Sequence, residues 1–127
     1  MLGPTTFSET TPSNLLNCFN VNACGPFWAV KYAPAAMSKT CSKGNYPNAT
    51  PKPATYGSII VVSSTASIYG GMWGPAYTMT QHAVLGLVKS SVVQLKGTGI
   101  RINIVSSGTI DMGIELSKVY HLNGQVS

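Results

Sequence analysis

Charge is what this sequence has least of. Charged residues make up 9% of the 127, and only three are acidic, against roughly 25% charged in an ordinary globular chain. That excludes a charge-driven disordered tail and a coiled coil, which needs many Glu and Lys. Long apolar runs are also missing. The strand-like run is only Ile59 to Val62, far short of the ~18 residues of a membrane helix, so no membrane association is expected. No Lys or Arg precedes Lys31 and position 2 is Leu. The N-terminus therefore does not read as a secretory or mitochondrial leader or as a myristoylation site. Cysteine is limited to Cys18, Cys24 and Cys41, with no C-x-x-C. These read as free thiols in a reducing compartment, which predicts a cytoplasmic location. The sequon Asn48-Ala49-Thr50 reads as a chance match.

What is present is apolar material for one core, at 44% hydrophobic residues, and a net charge of +5. Nucleic acid is one explanation of the charge. But Lys31, Lys39, Lys43 and Lys52 scatter with little aromatic interleaving, which argues against nucleic-acid binding. A scarcity of acids on a soluble domain is the plainer reading. A basic surface also attracts phosphorylated small molecules.

Residues 1 to 12 read as a Thr- and Pro-rich loop, with Ser13 as an N-cap. From Asn14 to Met37 apolar residues recur, which predicts a mostly buried helix interrupted near Gly25-Pro26 and at Pro34. Residues 38–57 read as an expanded surface loop. S-I-I-V-V-S, residues 58–63, reads as a strand buried on both faces of a parallel sheet. Ala66 to Pro75 is a Gly-rich loop. Met79, Ala83, Val84, Leu87, Val88 and Leu95 carry a helix over 76–95, with Gly86 permitting close packing and Gly97 and Gly99 ending it. I-R-I-N-I-V, residues 100–105, is a second strand, and 109–119 a short helix. Strand, helix, strand is a βαβ unit, and ligands sit outside the carboxyl ends of such strands. Ser63 to Tyr77 and Ser106 to Met112 are therefore the segments where chemistry is expected.

Tyr77 and Gln81 are four apart, so they share a helix face. Ser64 sits at the first strand's carboxyl end, 13 residues before Tyr77. A strand-end hydroxyl and a helix-start phenol can converge on one carbonyl oxygen, an arrangement suited to proton transfer at an alcohol or ketone. On spacing alone, an amphipathic core Tyr and a Ser-Ser turn explain the same residues.

Four blocks together carry more. N-V-N-A-C-G-P-F-W-A-V-K-Y-A-P-A-A-M, S-I-I-V-V-S-S-T-A-S-I-Y-G-G, A-Y-T-M-T-Q-H-A-V-L-G-L-V-K-S and G-I-R-I-N-I-V-S-S-G-T-I, in that order, resemble the short-chain dehydrogenase/reductase family. The resemblance runs from about Gly3 to about Leu116. It implies a doubly wound α/β, Rossmann-like fold and hydride transfer between NAD or NADP and an alcohol or ketone. It also implies roles. Asn22 matches the helix Asn that supports a proton-relay water, and Ser64 the Ser that polarises the substrate oxygen. Tyr77 matches the acid/base Tyr. Gly108 and Ile110 match the segment facing the nicotinamide carboxamide, while Asn103 reads as structural.

The departures are as informative. The family's tyrosine motif is Y-x-x-x-K, and here it reads Y-T-M-T-Q, so Gln81 holds the lysine position. That lysine binds the nicotinamide ribose and lowers the tyrosine's pKa by its charge. An amide can still donate to a ribose hydroxyl but cannot supply the charge. His82 lies about 100° around the helix and Lys89 roughly 12 Å along it, so neither substitutes. Ser107 replaces the family's Pro before Gly108, and Met112 replaces a cofactor-contacting Thr. The Gly-rich first βα turn that meets the pyrophosphate and the N-N-A-G strand end are not found.

The sequence therefore predicts one partial domain over 1–127, α/β, lacking the N-terminal dinucleotide-binding half. It predicts a truncated relative of an NAD(P)-dependent oxidoreductase with impaired activity. The alternative is a catalytically silent relative, a pseudoenzyme acting through self-association or partner binding. In the family the helices matching 14–37 and 76–95 make dimer contacts, which implies a homo-oligomer. No metal site is expected.

Overall fold

The computed structural model describes residues 1–38, 57–70 and 73–110. Helix α1 spans Pro12–Phe19 and runs through a π turn, Asn20–Cys24, into α2, Gly25–Met37. Strand β1, Gly57–Ser64, leads through a 3-10 turn, Thr65–Ser67, to helix α3, Pro75–Gln94, and strand β2, Ile100–Ser107. The two strands pair in parallel, with Ile59 opposite Ile102 and Ser63 opposite Ser106. A parallel pair needs a crossover, and α3 supplies it. The expected short helix at 109–119 and nearly all of the expected loop at 38–57 lie outside the described residues; Gly57 belongs to β1.

Helix α3 has two buried stripes. Gln81, Val84, Val88, Ser91 and Leu95 recur at helical spacing and are all buried, as a helix lying on a sheet requires. Val61, Val84, Val88, Leu95, Ile100 and Ile102 form the core, with Val30, Met37, Ile59 and Ile104 packed against it. Ala76 and Thr80, both fully buried, form the second stripe, toward α1 and the π turn. Gly97 and Gly99 adopt positive φ, the left-handed conformation that stops a helix and favours glycine.

Several expectations are corrected. The N-cap of α1 is Thr11, not Ser13, in a capping box with Asn14; Pro12 follows it, the position where its missing N–H costs least. Helix α2 continues through Pro34 to Met37. Only the carbonyl four residues back loses its partner, and α2 ends one turn later. The 14–37 helix is not mostly buried: Cys18 is buried in α1, but Leu16, Trp28 and Tyr32 are about half or more exposed. Gly86 meets nothing within 4 Å, so it permits no close packing, and Met79 is half exposed. Among the described residues strand β1 is covered on one face only. Ile60 and Val62 on the other face are 56% and 75% exposed, and Val105 of β2 joins them.

Cys18 and Cys24 are free thiols, while Cys41 lies outside the described residues. Burial pushes the Cys18 thiol above its ordinary value, and the Met1 amino group pulls it weakly down. Thiolate is the nucleophile, and Cys24 is only half-buried. Iodoacetamide is therefore expected to alkylate Cys24 about tenfold faster than Cys18, read by peptide mass spectrometry. Equal rates would contradict the burial of Cys18.

Candidate active site

Both strands end in serines. The β1–β2 register sets Ser63 beside Ser106 and Ser64 beside Ser107, and side chains tie the ends together. Ser107 Oγ donates to the Ser63 carbonyl at 3.3 Å, and the Ser67 and Ser106 hydroxyls lie 3.4 Å apart. Ser64 is 8% exposed. Its Oγ accepts from the Ala66 N–H at 3.1 Å, capping the 3-10 turn. That uses one lone pair and leaves the hydroxyl proton available to another acceptor. Gly108 follows β2 directly, and a Cβ there would reach only as near as 4.0 Å to Thr65 Cγ2. The backbone at Gly108 thus sits beside the residue following Ser64. Ile110 is 64% exposed.

Tyr77 enters from α3. Gly74 precedes the helix and Pro75 opens it, which places Tyr77 in the first turn. It is half-buried, one turn before Gln81 on the stripe that faces the sheet. Gln81 is 7% exposed, and its Oε1 accepts from Ser63 Oγ at 2.8 Å. Among the described residues no hydrogen bond links Tyr77, Ser64 and Gln81 directly. His82 is exposed, its Nδ1 3.0 Å from the Thr78 carbonyl oxygen, and Lys89 is exposed.

Asn22 reaches α3 by another route. Its Nδ2 donates to Thr80 Oγ1 at 3.1 Å and to the Met1 carbonyl at 2.7 Å, while Oδ1 accepts from the Met1 amino group at 2.7 Å. Thr80 Oγ1 in turn donates to the Tyr77 carbonyl at 2.7 Å. Asn22 therefore braces the turn between Tyr77 and Gln81. It sits mid-way in the π turn, and Pro26 supplies the cause. Four residues after Asn22, Pro26 has no N–H to offer that residue's carbonyl, so the ladder steps to a five-residue spacing.

Of the residues singled out from the sequence, Ser64 and Gly108 lie at the carboxyl ends of the strands, Gln81 reaches them through Ser63, and Asn22 meets α3 at Thr80 instead; Ser63 was included only as the start of a segment and given no role. Strand alternation was the available signal: Ser63 follows Ile59 and Val61 on the covered face. Among the described residues no His, Cys, Asp and Glu cluster could hold a metal, and no helix is long and apolar enough to cross a membrane.

The described groups fit one end of a dinucleotide. Undonated Ser64 and Gln81 protons and the open backbone at Gly108 suit a nicotinamide and its ribose. A hollow ahead of α3 is lined by Thr5, Phe7, Gly70, Gly74, Pro75, Thr78 and Met79, a largely apolar surround.

A family model described as "short chain dehydrogenase" matches residues 1–120. The chain is 37% identical over 99 residues to a (+)-borneol dehydrogenase of Salvia officinalis, covering 78% of this chain and 30% of that protein. It is 34% identical over 108 residues to an L-rhamnose-1-dehydrogenase of Scheffersomyces stipitis, covering 85% and 37%. The solved structure of ElxO with NADP bound aligns at a TM-score of 0.69 with 28% identity, covering 99% of this chain and 44% of that one. The chain thus spans about a third of the length of these two curated relatives.

Proposed function

The chain belongs to the short-chain dehydrogenase family, and from that premise we propose that it carries the proton-transfer end of an NAD(P)-dependent oxidoreductase interconverting an alcohol and a ketone. The carrying observation is the placement of Tyr77 and Gln81 on the sheet-facing stripe of α3, at the strand end where Ser64 keeps an undonated proton. Gln81, Gly108 and Ile110 would hold a nicotinamide and its ribose, and the bound nicotinamide would supply or accept the hydride. The Tyr77 hydroxyl would give or take the proton at the substrate oxygen, and Ser64 Oγ would donate to that oxygen. Asn22 holds the Tyr77–Gln81 turn through Thr80.

ElxO, which aligns over 99% of this chain, is seen with NADP; this supports a dinucleotide as the ligand. Titration of the purified chain with NADPH and NADH, followed by nicotinamide fluorescence, tests the reading. Saturable binding is expected. No binding at millimolar cofactor, in a sample shown to be folded by circular dichroism, would overturn it.

One observation favours the second reading, a silent relative that self-associates. Phe27, Trp28 and Tyr32 lie exposed along α2, with Trp28 and Tyr32 stacked at 6.2 Å under the Lys31 ammonium. That reading predicts a dimer by sedimentation without cofactor binding.

A further inference from the structure

We infer that Ser63 is a positioning residue: it tethers the Gln81 amide so that the Nε2 donors face the cofactor ribose. The inference rests on the proposed function for its ligand and on the structure for its geometry. An ammonium has no orientation problem, because it donates wherever it is turned. A carboxamide does: one end accepts, the other donates, and the wrong end presents a lone pair where a donor is needed. A glutamine in this place therefore needs an orienting partner.

Ser63 is that partner. It lies 18 residues from Gln81 in sequence, yet its Oγ donates to Gln81 Oε1 at 2.8 Å, and both residues are buried. Its own backbone is fixed on two sides, in the ladder opposite Ser106 and by the Ser107 hydroxyl on its carbonyl. With Oε1 engaged, Nε2 has no hydrogen-bond partner among the described residues and is not fully sealed from solvent, so its donors are spare.

The test is a double-mutant cycle on the full chain, with a second readout that needs no cofactor. Ser63→Ala is expected to weaken NADPH binding about fivefold, the loss of one oriented hydrogen bond, and Ser63→Thr to restore it. In the Gln81→Lys background Ser63→Ala is expected to change binding less than about twofold, because an ammonium needs no orienting. A merely structural serine would weaken both backgrounds equally, and that result would overturn the inference. The Gln81 side-chain order parameter from NMR relaxation is expected to be high in the unaltered chain and to drop clearly in Ser63→Ala. An unchanged order parameter overturns the tether whatever the cofactor does. Loss of binding in every chain, Gln81→Lys included, overturns the oxidoreductase reading instead, and the order parameter still decides the tether.

Discussion

Replacing Gln81 by lysine is expected to raise turnover about 10²-fold, the lower end of what a well-tuned general acid–base group contributes. The argument is electrostatic. Gln81 is one helical turn from Tyr77 on the same stripe, where a cation would favour the phenolate in the proton transfer. The pH–rate profile of Gln81→Lys is expected to move to lower pH. Tyr77→Phe in that background should lower the rate by at least about 10²-fold, since no other phenol stands in that turn of α3. Steady-state kinetics with NADPH and a small ketone panel check both. Unchanged turnover alongside intact NADPH binding would show that the missing cation is not what limits this chain.

Gly74→Ala is expected to destabilise the fold by about 3 kcal/mol, combining backbone strain and steric displacement. Gly74 has φ +85° and ψ 164°, a region essentially reserved for glycine. A Cβ there would also fall inside the contact distance of the Pro4 carbonyl oxygen. One position therefore clamps the N-terminal segment against the start of α3, three residues before Tyr77. Urea denaturation followed by circular dichroism reads the loss as a lower midpoint. A midpoint within the error of the unaltered chain would show that the N-terminal segment is not docked on α3.

Much of this architecture is legible in the residues. The apolar runs at 58–63 and 100–105, the helical period between them and the glycines at 97 and 99 define the βαβ unit without reference to coordinates. The pairing of Tyr77 with Gln81 follows from a spacing of four. Three features escape for physical reasons. A continuous apolar run such as Ile59 to Val62 states that the strand can be buried, not how many faces are covered. The exposure of Ile60 and Val62 depends on what lies above them. The Ser63–Gln81 bond joins side chains whose meeting depends on how α3 lies on the sheet. The N-cap and the π turn were readable in principle: Pro12 marks Thr11 as the residue before a first helical turn, and Pro26 marks the carbonyl of Asn22 as the one left without a donor.

Parallel pairing also sets an order of events in time. Strand β1 ends at Ser64, but its partner β2 begins at Ile100, so none of their ladder can form early in synthesis. Until residue 100 has left the ribosome, G-S-I-I-V-V-S-S, an uncharged, β-branched segment, lacks the one strand it pairs with among the described residues, and such a composition favours pairing with another chain. Helix α3, built from contacts local in sequence, can form first and lay its Val84–Val88 stripe over one face of β1. It then acts as an internal chaperone for the strand while the closing of a long loop, the slow step in such topologies, brings β2 home.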